Sequence, residues 1–138
     1  MPRPLSREGR LTAGRIVGVG VGLVDVRRFE AAHGRHGQRL RERLFTDGER
    51  EYAARRVRGV ESLAVRFAAK LAAGRALGLR GAHFREIEVV RSRGEAPVLR
   101  FHGRAAAAAT GLGVQRAALT LTHDPSCCIG QVVLEGEP

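Results

Sequence analysis

The sequence predicts an α+β domain. Short runs of period-two hydrophobicity and longer helical runs are interspersed along the chain, and their order is not a repeated strand–helix–strand pattern. The 138 residues, 43% hydrophobic and 28% charged, suffice for one core without help from disulfides or metals. Residues 1–13 hold two prolines, three arginines and little apolar content, so they are expected to form a flexible extension. Residues 14–138 are expected to form a single domain.

The first element is a strand. Val17, Val19, Val21 and Leu23 alternate with Gly18, Gly20 and Gly22, giving one aliphatic face and one face without side chains. Such a bare face admits either a ligand groove or a closely packed helix. Asp25 is placed to cap a helix carrying Arg27, Arg28, Phe29 and Ala32, which Gly34 and Gly37 should interrupt before a short helical stretch over 38–44. Thr46 and Glu49 have the spacing of a capping box, predicting a helix over 49–58. Leu63, Phe67 and Leu71, with many alanines between them, predict a helix over 61–79 that Gly78 stops. A hairpin is expected from strands at 86–90 and 98–101, joined by Gly- and Pro-containing turn residues. Ala105 to Ala109 predict a helix, and strands are expected at 118–122 and 129–135.

Charge and composition narrow the function classes. Lysine and arginine total 24 against 14 acids, a net charge of +10 that favours acidic or polyanionic partners. Only Lys70 is a lysine, the arginines are dispersed among acids, and aromatic residues amount to 4%, so a base-stacking nucleic-acid surface is not expected. No apolar run is long enough to span a bilayer and the first residues lack the apolar centre of a signal peptide, so a cytoplasmic protein is expected. Cys127 and Cys128 are adjacent, a spacing that rarely closes a disulfide, and read as small strand residues in a reducing compartment.

The alternating glycines do not sit on a strand-to-helix turn, so they are not a dinucleotide fingerprint, and no Walker loop is present. His33 and His36 lie beside glycines that spoil a helical metal site, and an exposed pair is expected. The group Thr120-Leu-Thr-His-Asp124 ends a strand with hydroxyls, an imidazole and a carboxylate. It is suited to phosphate binding or proton transfer, or else it is an Asp-Pro turn with an incidental histidine.

Several segments together resemble the bacterial holo-acyl-carrier-protein synthase family of small 4′-phosphopantetheinyl transferases, over nearly all of residues 15–135. They are the glycine strand with Arg28-Phe29, then Leu44-Phe-Thr-Asp-Gly-Glu49 with Tyr52, and then Arg66-Phe-Ala-Ala-Lys70 continued by Ala76-Leu-Gly78. Gly94-Glu-Ala-Pro97, His102-Gly-Arg-Ala105 and Leu119-Thr-Leu-Thr-His-Asp124 complete the set. The resemblance implies the small mixed fold of that superfamily, a homotrimer with active sites at subunit boundaries, an acyl carrier protein as partner, and coenzyme A as donor of the phosphopantetheine arm. It implies carrier docking at Arg28, coenzyme contacts at Lys70, Arg75 and His123, and His123 and Asp124 beside the reacting group.

One departure stands out. Where the family's two magnesium-binding carboxylates fall, this chain has Gly22 and Leu71. Magnesium is held by oxygen donors, so no metal is expected there and transfer by the family's mechanism is expected to be weak or absent. The expected function is a repurposed one, in which the chain recognises a carrier protein and acts on its tethered acyl or polyketide chain by cyclisation, dehydration or isomerisation. Leu71 and the bare strand face are expected to form an apolar, metal-free cleft for that chain. A transferase with an unusual metal site and a non-catalytic carrier-binding subunit are the alternatives, and whether the chain is an enzyme at all stays open.

Overall fold

In chain order the elements are β1 (Arg15–Asp25), α1 (Val26–Leu44), α2 (Asp47–Ala54), α3 (Gly59–Leu77), β2 (Ile87–Val90), β3 (Val98–Phe101), α4 (Gly103–Leu112), β4 (Arg116–His123) and β5 (Cys127–Gly136). They come from a computed structural model that describes residues 14–81, 83–92 and 94–138. The extension expected at 1–13 lies outside the described residues. An antiparallel sheet runs in the order β1-β5-β4, and β2 and β3 form a separate antiparallel hairpin.

Helix α3 is the axis around which the domain packs. Six of its alanines, from Ala64 to Ala76, are buried, and its sequence is apolar on most sides, as a helix enclosed by other elements requires. On one side it meets Val132 and Leu134 of β5 with Ala117 and Leu119 of β4. The same core cluster contains Ile87 and Val89 of β2 and Leu99 and Phe101 of β3. A second cluster joins Phe29, Phe45 and Leu63 to Val24 and Cys128, with the Phe29 and Phe45 rings edge to face at 6.3 Å.

The bare face of β1 is filled by this helix. A Cβ at Gly18, Gly20 or Gly22 would collide with the main-chain carbonyl oxygens of Ala76, Ala72 and Ala68 respectively. Two strand residues advance about 6.6 Å and four helical residues about 6 Å, so three glycines match three successive helical turns. Close helix packing, not a ligand groove, is therefore the use of the glycines. This corrects the expected apolar cleft, because α3 itself stands where the cleft was placed. Leu71 is half-buried and packs beside the phenylalanine cluster.

The other face of β1 is uncovered. Val19, Val21 and Leu23 remain 53%, 48% and 61% exposed, and Ile129 of β5, next to Leu23 in register, is 38% exposed. This is a contiguous aliphatic sheet surface, larger in kind than the scattered exposed leucines of an ordinary monomer.

Several boundaries differ from those the sequence implied. Helix α1 runs through Gly34 and only kinks at Gly37, whose φ of 30° and ψ of −106° lie outside the helical region. Helix α2 keeps its capping box but ends at Ala54, before a loop that returns Gly59 against the Ala53 carbonyl. Helix α4 extends from Gly103 to Leu112, and Gly113 closes it in the left-handed conformation. Among the described residues, no helix is long and apolar enough to cross a membrane.

Candidate functional site

Gly22 and Leu71 are brought together. A Cβ built on Gly22 would lie 2.8 Å from the Leu71 Cβ, so the two positions flank one point between β1 and α3. Neither offers an oxygen donor from its side chain. Asp25 does not substitute, since its Oδ1 accepts the Arg28 amide at 3.0 Å and caps α1 from the opposite strand parity. No group of three or more His, Cys, Asp or Glu side chains poised for a metal occurs among the described residues. The donor set does not fit magnesium.

Arg75 lies one helical turn beyond Leu71. Its Nη1 donates to the Val21 carbonyl at 2.6 Å, which places an exposed guanidinium at the edge of β1 next to Gly22.

Lys70 corrects an expectation. Its side chain is fully buried, and its ammonium is 2.5 Å from Glu49 Oε1 while donating to the Phe84 and Ile87 carbonyls at 2.8 and 2.6 Å. All three N–H donors are used internally. Burial lowers the Lys70 pKa, and the Glu49 carboxylate opposes that shift. Glu49 is itself satisfied by the Thr46 and Val89 amides, both at 2.9 Å. Lys70 is thus a core ion pair tying α2, α3 and β2 together, with nothing left for a coenzyme phosphate.

His123 ends β4, is exposed, and lines a cavity of about 170 Å³ with Arg58, Glu61, Asp124 and Cys128. The Asp124 Oδ1 accepts from the Ser126 amide and hydroxyl at 2.8 Å each and from the Cys127 amide at 2.9 Å. These bonds, the Ser126 hydroxyl first, hold its carboxyl below the usual range. Asp124 therefore holds the turn through Oδ1, while its side chain stays exposed next to His123. Cys128 is buried at the cavity floor, and burial pushes its thiol up to about 11, so it stays protonated and unreactive at neutral pH. His33 is half-buried, not exposed, and its Nε2 accepts from Arg41 Nη1 at 2.9 Å.

A second cavity was not legible in the sequence. Tyr52, Arg55, Arg56, Arg91, Ser92 and Gly94 line a polar concavity of about 660 Å³. The Arg56 and Arg66 guanidinium carbons lie 4.2 and 4.1 Å from the Tyr52 ring centre, in cation–π contact. Arg66 is 7% exposed, and its Nε has no hydrogen-bond partner. Burial lowers its pKa, and the charge of Arg91 adds to that. Three arginines line the concavity, and the buried Arg66 adjoins it across the Tyr52 ring, a concentration of positive charge suited to an anion. Residues from α2, α3 and the β2–β3 turn meet only in the folded chain, which is why periodicity and spacing missed the group.

Comparison with known proteins identifies the class. A family model described as the 4′-phosphopantetheinyl transferase superfamily matches residues 18–128, and the chain belongs to that superfamily. It is 40% identical over 123 residues to a holo-[acyl-carrier-protein] synthase of Geobacter sulfurreducens, covering 87% of this chain and 98% of the relative. The crystal structure of the corresponding synthase from Neisseria meningitidis superimposes with a TM-score of 0.80 at 27% identity, covering 88% of this chain and 99% of that one. The Bacillus anthracis synthase in complex with CoA (3′,5′-ADP) matches at 29% identity and a TM-score of 0.71, over 88% and 98% of the two chains.

Proposed function

We propose that this chain recognises an acyl carrier protein and a phosphopantetheine-bearing ligand of the coenzyme A class, and acts on the phosphopantetheine arm without a divalent cation at positions 22 and 71. The observation that carries the reading is the apposition of Gly22 and Leu71, which bear only a hydrogen and an isobutyl group where the family resemblance implies carboxylates. Its support for the ligand class is the arginine concavity around Tyr52, together with the synthase relatives named above. Without a bound cation to stabilise the charge that develops on a diphosphate leaving group, transfer of the arm from coenzyme A is slow. The arm already tethered to a carrier, with its acyl or polyketide chain, is then the substrate left to the site. His123, exposed and lining the cavity with Arg58 and Glu61, is the proton-transfer group in this reading.

Carrier recognition rests on α1. Arg28 is exposed in its first turn, beside Arg27, and a guanidinium pairs bidentately with the carboxylates of an acidic partner helix. Arg28→Glu is expected to weaken binding of apo carrier at least about tenfold, measured by calorimetry at low salt, with a steep salt dependence for the wild type. Binding of the variant as tight as the wild type removes the docking assignment.

The uncovered aliphatic face of β1 and β5 supports self-association, with a homotrimer as the assembly the family resemblance implies. Val19→Asp with Leu23→Asp is expected to yield a folded monomer by light scattering. A variant that keeps the wild-type mass places the interface elsewhere.

A further inference from the structure

We infer that the cavity beside His123 is a size-limited acyl site. It takes a short aliphatic acyl thioester, with an acyl group of up to about six non-hydrogen atoms, and excludes longer chains. The inference rests on the reading above that an acyl chain on a phosphopantetheine arm is the substrate. It deepens that reading by naming the class of chain and the residues that set its length.

The lining grades from polar to apolar with depth. At the mouth stand His123, exposed at the end of β4, and the exposed Arg58, paired at 3.7 Å with the half-buried Glu61. At the floor lie Val26, the first residue of α1, and Cys128 of β5, only 3% and 2% exposed, while Val65 of α3 is half-buried on the wall. Burial keeps the Cys128 thiol protonated, so the floor carries no charge. An acyl thioester has the same order of polarity, a carbonyl at one end and hydrocarbon at the other.

The length limit follows from the volume and from what lies behind the floor. An apolar cavity of about 150 Å³ holds one benzene ring. This one, at about 170 Å³, is of the same size. Val26 and Cys128 belong to the core cluster that contains Phe29, Phe45, Ala64 and Ala68, all buried, so close-packed side chains stop a longer chain. A butyryl group fits within that allowance and an octanoyl group does not. Cys128 and its neighbour Ile129 lie on opposite faces of the sheet, the first against α3 and the second on the uncovered aliphatic surface. Self-association through that surface therefore does not fill the cavity.

The test titrates coenzyme A and its acetyl, butyryl, hexanoyl and octanoyl thioesters into the full-length protein by calorimetry. Each buried methylene is worth about fourfold in affinity, so the butyryl thioester is expected to bind at least about tenfold more tightly than the acetyl, and the octanoyl no more tightly than the butyryl. Val65→Phe, which fills the cavity from its wall, is expected to erase the preference for butyryl over acetyl. Cys128→Ala, which lowers the floor, is expected to favour hexanoyl over butyryl by about threefold more than the wild type does. Circular dichroism melting confirms that the variants fold. Affinity that keeps rising from butyryl to octanoyl, equal affinities for acetyl and butyryl, or an unchanged length profile in folded Val65→Phe would each overturn the inference. If neither coenzyme A nor any of its thioesters binds, the underlying ligand assignment falls, and the acyl site is decided by S-butyryl-N-acetylcysteamine, which carries the thioester without the nucleotide. Saturable NMR shifts of the Val26 and Val65 methyls with that compound, and none with its octanoyl counterpart, are the expected result, and their absence overturns the site.

Discussion

Lys70→Met is expected to lower the melting temperature by about 15 °C. The substitution leaves the Glu49 carboxylate buried at 1% exposure with its cationic partner gone, and removing one member of a buried pair costs about 3–5 kcal/mol. The carbonyls of Phe84 and Ile87 lose their donor as well, which adds to the penalty. The companion Glu49→Gln with Lys70→Met removes both charges and is expected to recover a large part of the loss, since the uncompensated ion is what destabilises. Melting curves followed by circular dichroism measure both variants. A Lys70→Met protein that melts with the wild type but binds coenzyme A weakly would show that the lysine serves the ligand after all, contrary to its placement in the core.

Gly22→Asp is expected to destabilise the fold by about 3 kcal/mol or more and to gain no metal. Its Cβ meets the Ala68 carbonyl, a main-chain atom that cannot rotate aside, and the carboxylate would be pressed between β1 and α3. Gly22→Ala separates the steric part from the charge, and it too should melt well below the wild type. Leu71→Glu, on a half-buried position, is expected to fold. Thermal melts with and without magnesium give the answer. A Gly22→Asp/Leu71→Glu protein that melts like the wild type and is stabilised by magnesium would mean that helix and strand part easily, and that the missing carboxylates are a simple loss of ligands.

The positions of the regular elements were largely legible in the sequence because they rest on local physics. The Thr46–Glu49 capping box, the stop at Gly78 and the Val98–Phe101 strand follow from spacing and backbone preference within a few residues. The glycine strand was legible as a strand, but its use was not. Whether a face without side chains receives a ligand or a helix depends on what lies 50 residues further along, and here the alanines of α3 fit it.

The site was legible only in part. The adjacency of Gly22 and Leu71 follows from the resemblance and is seen in the contact between β1 and α3. A lysine in a signature segment, Lys70, reads as a ligand-facing charge, and only the packed structure shows Glu49 and two carbonyls consuming its donors. At Asp124 a carboxylate next to a histidine suggests proton transfer, and the structure adds that one of its oxygens also holds the Asp-Pro-Ser turn. The arginine concavity was invisible because its members lie on segments up to 42 residues apart, from Tyr52 to Gly94.

The most direct measurement is the intact mass of an apo acyl carrier protein incubated with coenzyme A and this protein, followed over time with magnesium and with EDTA. With no oxygen donors at 22 and 71, the account predicts that the phosphopantetheine adduct accumulates slowly and at the same rate in both conditions. Rapid, multiple-turnover modification that magnesium switches on and EDTA abolishes would contradict it.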